Sequence, residues 1–166
     1  RVTHKGERVP GVRVFAQSQH SSPNGWGEAQ SGADGTYAIG ALPASSYNIM
    51  LDPPEGLTAK AIEGVAVEPG EHFAEADLEL SPGGVVQRTV LDARTGKPVA
   101  DAWVGAYGPA RPLSSAGVQG AQTDEAGRFT LRLPEGENRL YTGGLDYKGT
   151  HEWVDVVEGQ TVTGAN

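Results

Sequence analysis

Residues 96–106 read GKPVADAWVGA, and residues 6–16 read GERVPGVRVFA. Set one above the other, Gly6 falls on Gly96, Val9 on Val99 and Val14 on Val104 at a constant offset. Working outward, residues 34–49 (DGTYAIGALPASSYNI) recur as residues 125–140 (EAGRFTLRLPEGENRL), pairing Gly35 with Gly127, Tyr37 with Phe129, Ile39 with Leu131 and Pro43 with Pro134. A third match sets residues 65–74 (VAVEPGEHFA) beside residues 154–163 (VDVVEGQTVT). Features that recur in one order define a repeated unit. The join falls at Ser81, Pro82, Gly83 and Gly84, which gives a first repeat over residues 1–81 and a second over 84–166.

Inside each copy the apolar residues alternate over short runs, as in Val12, Val14, Ala16 and in Phe129, Leu131, Leu133. Period-two runs bounded by Gly, Pro, Asn and Asp are half-buried strands. The chain carries 24 Gly and 11 Pro among 166 residues, and they fall between the apolar runs, as tight turns require. No window sustains a helical apolar pattern. Connections this short call for antiparallel pairing. The expected fold is therefore all-β, two tandem antiparallel β-sandwiches, with a core that includes Val12, Val14, Tyr37, Ile39, Val104, Phe129 and Leu131.

The strings DARTGKPVADAWVGA (residues 92–106) and TDEAGRFTLRLPEG (residues 123–136) resemble the carboxypeptidase regulatory-like domain. This is a transthyretin-like or prealbumin-like (Ig-like) sandwich related to the collagen-adhesin B-type repeats of bacterial surface proteins. The resemblance covers both halves, more clearly residues 84–163. Its residues are turns and core: Gly96 and Pro98 shape a hairpin, Asp124 with Gly127 suits an Asx-type turn, and Pro134 with Gly136 closes the next strand. They describe a fold and carry no chemistry by themselves. Collagen-adhesin domains can join a Lys on the first strand to an Asn on the last. Here residues 85–91 contain no Lys, and Lys5 and Lys97 fall in the turn that follows, so the resemblance implies no such crosslink.

The two copies differ at their ends. Only residues 1–5 precede Gly6, whereas the second copy opens with an obvious strand over 85–91. The first copy ends with a strand over 75–80, and the sequence reaches Asn166 where that strand should recur. The expectation is a first strand largely missing from one repeat and a last strand missing from the other. Either the chain is an excerpt of a longer multi-repeat protein, or strands from neighbouring copies fill the gaps. An opening at Arg1 without a basic-then-apolar leader reads as a mature form or an excised piece.

Chemistry-bearing residues are dispersed. The net charge of −8 sets the chain against nucleic acid and anionic membranes, and no apolar stretch is long enough to span a bilayer. Cysteine is absent, which removes disulfides, thiolate nucleophiles and Cys-ligated metals. His4, His20, His72 and His151 stand at no metal-ligand spacing, and Asp34 and Asp124 lack the regular Asp-rich calcium-loop pattern. Tyr107, Tyr141 and Tyr147 form no cluster with His151 of the kind intradiol dioxygenases need, and the ending TGAN is not that of hydroxyisourate hydrolases. Ser45, Ser46, Ser114 and Ser115 lie in polar loops without a nucleophile elbow. No catalytic, cofactor or metal residue is assigned.

The aromatics are the remaining candidates. Since Ala102, Val104 and Ala106 take the core side, Trp103 and Tyr107 lie on the opposite face two pleats apart. Trp26 sits between Gly25 and Gly27. Trp26, Trp103, Tyr107 and Trp153 form the expected interaction surface. The function expected is a non-catalytic structural or adhesive module, extracellular or in the cell envelope, whose partners are proteins, copies of itself or a glycan. A carbohydrate-binding module using the exposed Trp and Tyr, or an accessory domain of a secreted enzyme, are the alternatives.

Overall fold

The computed structural model describes residues 1–20, 25–68, 76–107, 119–143 and 149–165. They are all-β and divide into two compact units, the first over Arg1–Ser81 and the second from Pro82 onward.

Unit 1 contains β1 (Val2–His4), β2 (Glu7–Arg8), β3 (Arg13–Ser18), β4 (Trp26–Gln30), β5 (Ser45–Leu51), β6 (Thr58–Ala59), β7 (Ile62–Val67) and β8 (Leu78–Ser81). They form two sheets, ordered β2-β1-β8-β6 and β4-β3-β5-β7. Val2, Leu78 and Leu80 from the first meet Val14, Ala16, Tyr47 and Ile49 from the second in one buried core. Unit 2 contains β9 (Gly84–Thr89), β10 (Trp103–Tyr107), β11 (Gln119–Gln122), β12 (Arg128–Leu133), β13 (Gly136–Gly143), β14 (His151–Val156) and β15 (Thr161–Ala165). Its sheets run β12-β9-β15 and β11-β10-β13-β14. Between them lie Val86, Phe129, Leu131 and Leu133 against Val104, Ala106, Leu140, Val154 and Val156. Each fully buried aliphatic side chain contributes about 1.5–3 kcal/mol, so these two clusters are what holds the sheets face to face.

The sequence repeat reappears as a repeated hydrogen-bond network. The amide of Val2 donates to Gly35 O at 2.8 Å, and that of Val90 donates to Gly127 O at 2.8 Å. Val9 N then returns to Val2 O, and Val99 N to Val90 O, both at 3.0 Å. A hydroxyl clamps the next bend in both units. Ser31 Oγ accepts from Val12 N and donates to Val9 O, while Thr123 Oγ1 accepts from Ala102 N and donates to Val99 O. Gly35 and Gly127 have φ of +72° and +71°, and a Cβ on either would stand 2.7 Å from the carbonyl oxygen of Val2 or Val90. Only glycine combines that backbone with that approach. The Asx turn at Asp124 forms, its Oδ1 accepting from Ala126 N and Arg128 N.

Three expectations need correction. First, pairing is not antiparallel throughout: β1 pairs β8 in parallel, and β9 pairs β15 in parallel. The first and last strands of a unit are joined by the whole unit between them, so no short crossover is needed. Second, the last strand of the second repeat is present as β15, with Thr161 opposite Val85 and Ala165 opposite Thr89. Only residues 157–160 separate β14 from β15, so this strand begins inside the stretch matched to residues 65–74. Third, the counterpart of β12 in unit 1, residues 36–40, is not a strand, and Tyr37 and Ile39 are only partly buried against the core. In unit 2 this segment pairs with β9, and Val90, which follows β9, bonds Gly127 O as Val2 bonds Gly35 O in unit 1. Val12, Val14, Val104, Phe129 and Leu131 are buried as expected.

Candidate functional site

The sheet β11-β10-β13-β14 buries Val104 and Ala106 on one side, which turns Trp103, Gly105 and the backbone position of Tyr107 to the other. The register extends that outer face across the sheet. Gly105 stands opposite Gly120 on β11 and Tyr141 on β13, Tyr141 opposite His151 on β14, and Arg139 opposite Trp153. Gly105 and Gly120 are where side chains give way to rings: a Cβ on Gly120 would fall inside the Trp103 indole, and one on Gly105 inside the Tyr141 ring. The Trp103 ring therefore occupies the space above Gly120 and the Tyr141 ring that above Gly105. The Tyr141 and His151 rings are 6.4 Å apart, and the Arg139 guanidinium sits 5.7 Å from the centre of the Trp153 ring, within cation–π range. Trp103 is 42% exposed and Trp153 59%. The side chain of Tyr107 lies outside the described residues.

The corresponding face of unit 1 is built otherwise. Phe15 is 2% exposed although it faces away from the core, with Met50 opposite it on β5. The Arg13 guanidinium lies 4.9 Å above its ring and reaches Glu28 and Asp52, each at 3.7 Å. Trp26, 49% exposed, stands at its edge with ring centres 6.3 Å apart. The structure thus brings Trp103 and Trp153 onto one face, and places Trp26 in the other unit.

The polar side chains otherwise serve the backbone. Asp34 Oδ1 accepts from Thr36 N and Thr36 Oγ1, and these bonds, the hydroxyl first, hold its carboxyl below the ordinary range. Asp92 does the same with Thr95 and Arg94, with the same result. His4 Nδ1 is 2.7 Å from Leu80 O, and Ser45 Oγ is 2.8 Å from Ser18 Oγ. Tyr47 donates to Pro43 O at 2.7 Å, and its counterpart Asn138 donates from Nδ2 to Pro134 O at 2.9 Å. Across the two sheets of unit 2, Arg88 on β9 pairs with Glu152 on β14, their side chains 13% and 36% exposed. An open depression of about 590 Å³ is lined by Arg88, Asp124, Arg128 and Thr163 among others, a polar wall without a paired nucleophile and base. Among the described residues no group of three or more His, Asp or Glu side chains stands close enough to hold a metal ion, and no helix is long and apolar enough to cross a membrane. His72, Ser114, Ser115 and Tyr147 lie outside the described residues.

Sequence reasoning did not assign Tyr141, Arg139 or His151 to this face. The alternation in residues 151–156 places His151 with Trp153, but joining them to Trp103 needs the register of three strands. Gly105 and Gly120 were the only local sign that rings would lie there.

No protein-family profile and no curated protein matches the chain. Among solved structures, the minor pilin GBS52 of Streptococcus agalactiae is similar at 16% identity, over 99% of this chain and 92% of that one, with a TM-score of 0.38. The Bacillus anthracis TIE protein is similar at 19% identity over 99% of this chain and 32% of its own, with a TM-score of 0.42. The shaft pilin SpaA of Lactobacillus rhamnosus GG is similar at 9% identity over 95% of this chain and 88% of its own, with a TM-score of 0.38. These are likenesses in strand-built architecture, at scores too low to speak for function.

Proposed function

We propose that the chain is a non-catalytic structural and adhesive module of an extracellular or cell-envelope protein, made of two repeats over residues 1–81 and 84–166. The observation that carries this reading is the parallel pairing of first and last strand in each unit. Tension applied along the chain enters unit 1 through β1 and leaves through β8, and enters unit 2 through β9 and leaves through β15. Parallel neighbours pulled in opposite directions are loaded in shear, so their inter-strand hydrogen bonds resist together rather than opening one by one. Buried hydroxyls spent on clamps and exposed carboxylates spent on turns fit a load-bearing part. The test is single-molecule pulling from the two ends. Two separate unfolding peaks are expected, and a featureless extension at low force would sink the reading.

A second reading has its own observation. Residues 36–40 form no ladder in unit 1, whereas β12 pairs with β9 in unit 2. A strand from another copy has a seat there, which would join chains head to tail by strand addition. Light scattering on the 166-residue chain tests it. A monodisperse monomer at high concentration removes it.

A further inference from the structure

β14 (His151–Val156) ends its sheet: the order is β11-β10-β13-β14, and no described strand lies beyond it. Which of its backbone groups stay open follows from one bond. Thr142 N donates to Thr150 O at 3.0 Å, so these two opposed residues are a hydrogen-bonded pair. Bonded and non-bonded pairs alternate along an antiparallel ladder. Glu152, Val154 and Val156 therefore turn N–H and C=O toward β13, while His151, Trp153 and Asp155 turn theirs outward. The side chains of the same three residues are exposed. We propose that β14 pairs antiparallel with β14 of a second copy, about a two-fold axis at Trp153.

That centre is the one that uses every open group. It sets Trp153 opposite its equivalent and His151 opposite Asp155 on both sides of the axis, so three residue pairs exchange backbone bonds and each carboxylate meets an imidazole. A centre at Glu152 or Val154 sets Trp153 opposite His151 or Asp155 and separates these partners. A centre at His151 or Asp155 sets like side chains face to face. Within one copy Asp155 stands directly opposite Glu137, and among the described residues neither carboxylate makes an ion pair. The second copy brings His151 beside them. Arg139 stays with Trp153 of its own copy, and the inward charge of the strand, Glu152, is answered by Arg88. No uncompensated charge on β14 is left to repel a neighbour.

Unit 1 supplies the contrast, because its equivalent edge is blunted. β7 skips a residue against β5 between Tyr47 and Ile49, and Gly64 within it has a φ of +70°. Bulges and kinks of this kind protect an exposed edge from added strands. β14 has six unbroken pairs with β13 and contains no Gly, Pro or Lys. Its seam is short, below the roughly 800 Å² per partner of a stable complex, so the dimer is weak, with a dissociation constant on the order of 0.1 mM. Copies tethered side by side reach such concentrations.

The experiment is sedimentation equilibrium of the 166-residue chain up to about 1 mM. A mass that doubles and stops there is expected. His151→Asp should weaken the dimer about tenfold, since carboxylates then face each other on both sides of the axis. Adding Asp155→His, which swaps the two groups, should bring it back to within about threefold of the parent. Trp153→Pro removes an outward N–H that β13 does not use, and should abolish the dimer. Circular dichroism checks folding, and the swapped pair decides if the proline variant unfolds. A monomer at about 1 mM, or a double variant as weak as His151→Asp alone, overturns the pairing. Growth past the dimer overturns it too, in favour of the head-to-tail reading, while the unfolding peaks under tension judge the structural reading separately.

Discussion

Ser31 clamps Val9 to Val12 in unit 1, and Thr123 clamps Val99 to Ala102 in unit 2, with the same atoms in the same roles. Gly35 and Gly127 turn the chain at nearly the same φ, each against the carbonyl of an equivalent valine. The units part company at their seams. β1 meets β8 over three residue pairs, whereas β9 meets β15 over five and adds an Arg88–Glu152 pair between sheets. Their outer faces differ too, an ion-paired cover over Phe15 in one and aromatic rings over glycine in the other. A repeated scaffold therefore fixes bends and core, and leaves edges and outer faces to diverge.

The shared bends are the place to break this comparison hardest. Gly35→Ala and Gly127→Ala should each cost about 3 kcal/mol, since the new Cβ meets both a left-handed backbone and a carbonyl oxygen at 2.7 Å. Urea titration can follow each unit by its own indoles, Trp26 for unit 1 and Trp103 with Trp153 for unit 2. Loss confined to the mutated unit and equal in the two supports equivalence. A mild effect in one alone would show that the bends only look alike.

Next in size is the seam of unit 2. Arg88→Met should cost about 2–3 kcal/mol, because it strands the Glu152 carboxylate at a half-buried site, while Arg88→Met with Glu152→Leu should fall within about 1 kcal/mol of the parent. Denaturation read at Trp103 and Trp153 measures both. A double variant as weak as the single would mean that the pair itself, and not the stranded charge, holds the sheets together. Somewhat smaller, about 2 kcal/mol, is the expected cost of Thr123→Val or Ser31→Ala, which leaves a buried amide and carbonyl without the hydroxyl. The same assay should show matching losses.

Much of this was legible beforehand, and the reason lies in what local sequence encodes. Alternation at Val12, Val14 and Ala16 fixes which side is core, and Gly35 with Gly127 marks bends, because both act through residues next to each other in the chain. Ser31 and Thr123 carry no such mark: each clamp closes across about twenty residues, and a serine or threonine in a polar stretch reads as loop. The β9–β15 pairing was hidden for the same reason, since it joins residues 161–165 to residues 85–89 at the far end of the unit. On the candidate face the exposure of Trp103 and Trp153 followed from alternation, but their sharing one face with Tyr141 depends on the register of β10, β13 and β14 together.

The smallest expected difference is an alkaline one. Tyr37 and Phe129 occupy equivalent places, and the Tyr37 hydroxyl donates to Ala76 O at 2.5 Å. Burial, with Asp77 adding to it, pushes this phenol up to about 12, whereas an unfolded tyrosine ionises near 10. Below pH 10 both states are protonated and the contribution of Tyr37 is fully present. Between about 10 and 12 the unfolded chain has lost its proton and the folded one has not, so the folded state is disfavoured as the pH rises. For a half-buried group, solvent screening reduces the total to the order of 1 kcal/mol. Tyr37→Phe should lower the stability of unit 1 at neutral pH by about 1 kcal/mol through the lost hydrogen bond, then converge on the parent as the pH passes 10. Urea midpoints read at Trp26 from pH 8 to pH 11.5 measure this. Parallel curves for parent and variant would mean that the Tyr37 proton is not held by the fold.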